Sequence, residues 1–140
     1  MVDMLSDADL VWNRACFGKL DACAFRGDRA LTALLLFHGL AMNGGVLHAV
    51  ECLQPRELAA AKSGYRYFGF HDVAELISDI GSAGTVAGIS DLQEASFGRR
   101  YSKSVPDDGA LSDRFEDHFK TNRSDFAPLS DADRCAQLSP

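Results

Sequence analysis

His48 and Glu51 stand three residues apart just beyond the glycine doublet of Met42-Asn43-Gly44-Gly45-Val46-Leu47-His48, and here residue types and spacing come nearest to chemistry. On a helix, residues three apart share a face, as a metal-binding carboxylate and imidazole do. A two-metal bundle needs further carboxylates from facing helices, and the apolar segment before this stretch offers only His38. No metal and no other cofactor is expected. Two glycines at a helix start can also present backbone N–H groups to an anion. The preceding strand and longer glycine pattern of a phosphate loop are missing. Asn43, Gly44, Gly45, Val46 and His48 are therefore read as a tight turn between helices, with His48 partly buried and bonded to a backbone group nearby. A small-ligand or enzymatic pocket at this corner is the alternative reading.

His71, Asp72 and Glu75 resemble acid–base equipment, but they open an amphipathic segment, where the helix dipole favours carboxylates. No Gly-x-Ser-x-Gly elbow is present, and Cys16, Cys23, Cys52 and Cys135 form no C-x-x-C pair. Catalytic residues are accordingly not assigned. Cys16 and Cys23, seven apart, are expected on one helical face as reduced thiols. Tyr65, Tyr67, Phe68 and Phe70 are read as anchors for a helix end, with the phenols reaching water.

The elements that must position these residues read as helices throughout. Leu10, Trp12, Cys16, Phe17 and Leu20 recur at helical spacing behind Ser6 or Asp7 as a cap. Asp28 can cap a second helix, in which Leu31, Leu34, Leu35, Leu36, Phe37 and Leu40 occupy so much of the circumference that it should be the buried centre. Asn43-Gly44-Gly45 ends it; a short helix runs to about Leu53, and Pro55 starts a fourth that stops near Gly69. A fifth begins at His71 or Asp72; residues 90–100 supply a turn or two, 102–110 a loop, and Ala110 to Asn122 a last helix. The pentapeptide Leu-Ser-Asp-Ala-Asp, at Leu5 and again at Leu129, reads as two helix-start signals. The expected fold is all-α: one compact domain of about six short helices around a buried central helix. Residues 1–27 form its N-terminal helix, 28–126 its body and 127–140 a loose tail.

Charge narrows the partners. Twenty acids against fourteen bases disfavour direct nucleic-acid binding, which needs clustered Lys and Arg. The longest apolar run is too short to span a bilayer, and the acidic start lacks the positive region of an export signal, so a cytoplasmic chain without membrane contact is expected. Between His71 and Gly98 stand Asp72, Glu75, Asp79, Asp91 and Glu94 without a Lys or Arg, a segment that should project negative potential toward a basic protein.

The stretch Met42–Val50, the Pro-Arg-Glu-Leu helix start, the block "AAAKSGYRYFGFHDVAELI" and the late "LSDRFEDHFKTNRSDF" together resemble the DNA mimic protein family, over roughly residues 28–126. Val46 replaces that family's usual Phe, and His48 stands where Gln is common. The resemblance implies a compact helical homodimer with no catalytic residues. It also implies an acidic surface that imitates duplex phosphates and occupies a DNA-binding partner such as a transcription regulator. Duplex DNA presents about one negative charge per 1.7 Å of axis, and the acids here make a thinner array.

Overall fold

The computed structural model describes residues 5–17, 24–86, 88–131 and 133. Helices run in the order α1 (Asp7–Cys16), α2 (Arg26–Gly44), α3 (Val46–Cys52), α4 (Pro55–Tyr67), α5 (His71–Val86), α6 (Asp91–Ser104) and α7 (Asp108–Thr121), followed by a 3₁₀ turn, Arg123–Asp125. Among the described residues the regular structure is helical throughout, as an all-α bundle requires. None of these helices is long and apolar enough to cross a membrane.

The caps show why the chain breaks where it does. Ser6 accepts from the Asp9 N–H while Asp9 accepts from the Ser6 N–H, a reciprocal box that starts α1. Ser130 and Asp133 repeat this box, so the duplicated pentapeptide makes the same cap twice. Ser90 and Gln93 open α6 similarly, and Pro55 begins α4 at a first-turn position where its missing N–H costs nothing.

Helix α2 packs against α1, α3 and α4, with Leu31, Leu34, Phe37 and Ala41 buried. Burial of each of Leu31, Leu34 and Phe37 contributes about 2 kcal/mol. Gly64 of α4 faces the Ala30 carbonyl of α2 so closely that a Cβ would overlap it, so the glycine lets these two helices approach closely. Val73, Leu76, Ile77 and Ile80 of α5 complete this side of the core, while Phe97 and Tyr101 of α6 and Leu111, Phe115 and Phe119 of α7 close the rest.

Several expectations need correction. Helix α6 is a full 14 residues, because Phe97, Tyr101 and Val105 bury a stripe at helical spacing that the polar residues between them obscure. Helix α1 ends at Cys16, and the expected continuation through Leu20 and Cys23 lies outside the described residues, as does Cys135. Asp28 does not occupy the N-cap position, which is Phe25; third in α2 and buried, it caps the helix from inside the first turn by accepting the Phe25 N–H at 3.0 Å. One flank of α2 is open, with Leu36 45 % exposed. The described part of the tail is tied down, since Arg14 donates to Ala127 O and pairs with Asp133. Cys16 and Cys52 are free thiols on the surface.

Candidate functional site

The turn after α2 is tighter than the three residues expected for it. Asn43 and Gly44 remain helical, and the whole change of direction falls on Gly45, at φ 94° and ψ 167°. That region is essentially closed to residues with a side chain. Gly44 has a separate reason to be glycine: a Cβ there would lie 2.6 Å from His48 Cδ2, so the imidazole is laid directly on the end of α2. Val46 is buried beside it, whereas Asn43, Gly44 and Gly45 are exposed. The expected backbone partner of His48 is not what the ring meets; Cys52 Sγ is 3.6 Å from both of its nitrogens. The sulfur thus stands within weak hydrogen-bonding reach of either nitrogen, the tautomer deciding which one donates. Glu51 points to solvent.

The five acids of the candidate face separate into two groups. On α5, Asp72, Glu75 and Asp79 are exposed, but α6 runs back along α5 and brings its bases beside them. Arg100 bonds Asp79 at 3.0 Å. Asp72 and Glu75 share an open groove of about 400 Å³ with Arg100, Lys103 and Ser104. Bases adjacent in space, and distant in sequence, thus interrupt the negative field on this half. Asp91 and Glu94 stand at the other end of the hairpin, in the first turn of α6. There, residues 91–96 are all exposed, and Leu92 between the two acids is 83 % exposed. Six successive exposed helical residues mean that this end of α6 projects from the body.

A third constellation was not singled out from the sequence. His38 of α2 is buried and bridges two partners: its Nδ1 is 2.6 Å from Tyr101 Oη and its Nε2 is 2.6 Å from Asp108 Oδ1. Tyr101 Oη is in turn 2.8 Å from Tyr65 Oη. An ionised Asp108 carboxylate can only accept, so a neutral His38 carries its proton on Nε2 and accepts at Nδ1 from Tyr101. Tyr101 then accepts from Tyr65, and the chain runs one way from the centre of the core to an exposed carboxylate. Its outline is that of an Asp–His–hydroxyl triad. The hydroxyl, however, is a phenol 4 % exposed, pushed above its ordinary range chiefly by burial. With no approach for a substrate, the chain acts as a structural tie joining α2, α4, α6 and α7. Tyr65, expected to reach water, is fully buried instead, and Tyr67, half-buried, donates to Asp125 at 2.6 Å. Four polar residues so far apart in sequence carry no local signal beyond His38 lying in an apolar run.

Elsewhere, a cleft of about 650 Å³ is lined by Val11, Phe25, Phe119, Arg123, Phe126 and Leu129. Among the described residues, three or more His, Cys, Asp or Glu side chains do not converge as metal ligands. Comparison with protein-family models, with curated proteins and with solved structures finds no match to this chain.

Proposed function

We propose that this chain is a non-catalytic protein-interaction domain that engages a basic partner through the acidic, projecting end of the α5–α6 hairpin. The observation that supports this reading is the exposure of residues 91–96, where Leu92 stands between Asp91 and Glu94. An exposed apolar side chain on a helix end that also carries two carboxylates suits a partner pocket with a Lys or Arg rim. The sequence resemblance makes a DNA-binding regulator the natural candidate for such a partner. Asp72, Glu75 and Asp79 take a lesser part here, because Arg100 and Lys103 offset them.

Capture of partners from a bacterial lysate tests the reading at about 50 mM and about 500 mM salt, since exposed charge contacts are screened over a Debye length. A complex formed at low salt should disappear at high salt, and should be lost in Asp91→Lys with Glu94→Lys. It should survive Asp72→Lys with Glu75→Lys. A complex unmoved by salt and by the first pair of substitutions would sink the proposal.

A further inference from the structure

His118, on the inner side of α7, is bracketed by two aromatic rings at the end of α4. Its ring centroid lies 4.4 Å from that of Tyr67 and 5.0 Å from that of Phe68, both steeply inclined. Among the described residues, its Nε2 is the buried side-chain nitrogen or oxygen that lacks a hydrogen-bond partner. A neutral imidazole accommodates this by carrying its proton on Nδ1, because Nε2 then buries only a lone pair. Protonation places an N–H, and a positive charge, on an atom with no acceptor in reach, an arrangement that buried groups avoid.

The charged groups around the ring do not relieve this. From the 3₁₀ turn comes Asp125, from α2 Arg26, and from α4 the hydroxyl of Tyr67. On α7 itself Arg114, one turn earlier, is engaged with Phe68 O at 3.2 Å. Asp125 would favour a charged imidazole, but its carboxylate already accepts from Tyr67 at 2.6 Å and from Arg26 at 3.0 Å. Arg26 opposes the charge. Burial is the largest influence and holds the pKa of His118 below its ordinary 6.5, with Asp125 pulling it up and Arg26 pushing it down. A depressed folded-state pKa means that the unfolded chain binds more protons. This contribution to stability is therefore complete above about pH 6.5 and is lost as the pH falls through the folded-state value.

We infer that His118 is an acid-sensitive latch, holding α7 and the turn after it against the end of α4 and letting them go when its ring is charged. The geometry gives the latch something to release. The carbonyl of His118 accepts from Asn122 Nδ2 at 3.0 Å, and the Asn122 carbonyl accepts the Asp125 N–H at 2.9 Å. Phe126 follows at once and forms one wall of the 650 Å³ cleft. Acidification thus loosens the 3₁₀ turn and widens that cleft, while leaving the α5–α6 hairpin untouched.

Thermal melting of the wild type and of His118→Phe at about pH 7.5 and about pH 5 tests the latch, with His118→Gln as a second variant in case the larger ring disturbs packing. The wild-type midpoint should fall by about 5 °C more than that of either variant. In the wild type the Asp125 and Phe126 amides should lose roughly ten-fold in hydrogen-exchange protection on acidification, and the variants should not show this loss. The His118 ring should titrate below 6.5 by NMR. Variants that lose as much stability as the wild type, or a ring that titrates at or above 6.5, would overturn the inference.

Discussion

The guanidinium of Arg14 lies 2.6 Å from Asp28 Oδ1, and the other oxygen of that carboxylate accepts from the backbone N–H groups of Phe25 and Ala127. One buried carboxylate thereby joins α1, the start of α2 and the segment after the 3₁₀ turn. Asp28 is 5 % exposed, so its charge depends on these three partners. Removing the guanidinium leaves that charge with backbone donors alone. Arg14→Ala should cost about 3 kcal/mol in urea unfolding, as broken buried pairs do. Asp28→Asn, which removes the charge together with its need for a counterion, should cost less. Equal losses would show that the pair behaves as an exposed one.

The one-way order of the Tyr65–Tyr101–His38–Asp108 chain yields an unequal pair of substitutions. Tyr101 serves two neighbours, so Tyr101→Phe strands the Tyr65 hydroxyl and His38 Nδ1 together in the core. Tyr65 serves one, and Tyr65→Phe leaves Tyr101 still donating to His38. The first should cost about 2–3 kcal/mol and the second about 1 kcal/mol. Denaturant midpoints of the two variants and of the double variant measure this. The ¹⁵N shifts of His38 should show the proton on Nε2 in the wild type, and a proton on Nδ1 would reverse the proposed order.

Helix positions were legible in the sequence wherever burial follows a regular spacing, as with Val73, Leu76, Ile77 and Ile80 of α5 or the Pro55 start of α4. Legibility failed where side chains meet across helices. Asp28 has the residue type and position of a cap, and only the fold brings Arg14 and Ala127 to it. The acidic segment from Asp72 to Glu94 reads as free of bases, but antiparallel packing of α5 and α6 sets Arg100 against Asp79. The hydrogen-bonded chain through His38 spans four helices, so spacing within any one of them cannot announce it.

The corner after α2 predicts different costs at adjacent glycines. At Gly45 the backbone conformation itself excludes a side chain, so Gly45→Ala should destabilise by about 1–3 kcal/mol whatever its surroundings. At Gly44 the backbone is helical and the obstacle is the His48 ring, a movable group. Gly44→Ala gains about 1 kcal/mol of helix propensity against that clash. It should therefore be the milder change, and turn stabilising in a His48→Ala background. Thermal melts of the four proteins in this cycle decide the point; a penalty at Gly44 that persists without the imidazole would place the constraint in the backbone.

Asp125 sets a second pH window, which opens below 3.8 where that of His118 opens below 6.5. The hydrogen bond from Tyr67 and then that from Arg26 hold its carboxyl below the ordinary 3.8. A lowered folded-state value means stability that is present above about pH 4 and is lost as acid protonates the carboxylate. Tyr67→Phe removes the largest cause and brings the folded value closer to the unfolded one. The variant should be less stable at neutral pH, yet lose less on going from about pH 4.5 to about pH 2.5 than the wild type does. Arg26→Ala should flatten the same curve less, because that side chain is 74 % exposed and its charge is screened by water and salt. Urea midpoints of the three proteins across this range provide the measurement. A steeper acid loss in Tyr67→Phe than in the wild type would mean that the phenol hydroxyl does not stabilise the ionised carboxylate.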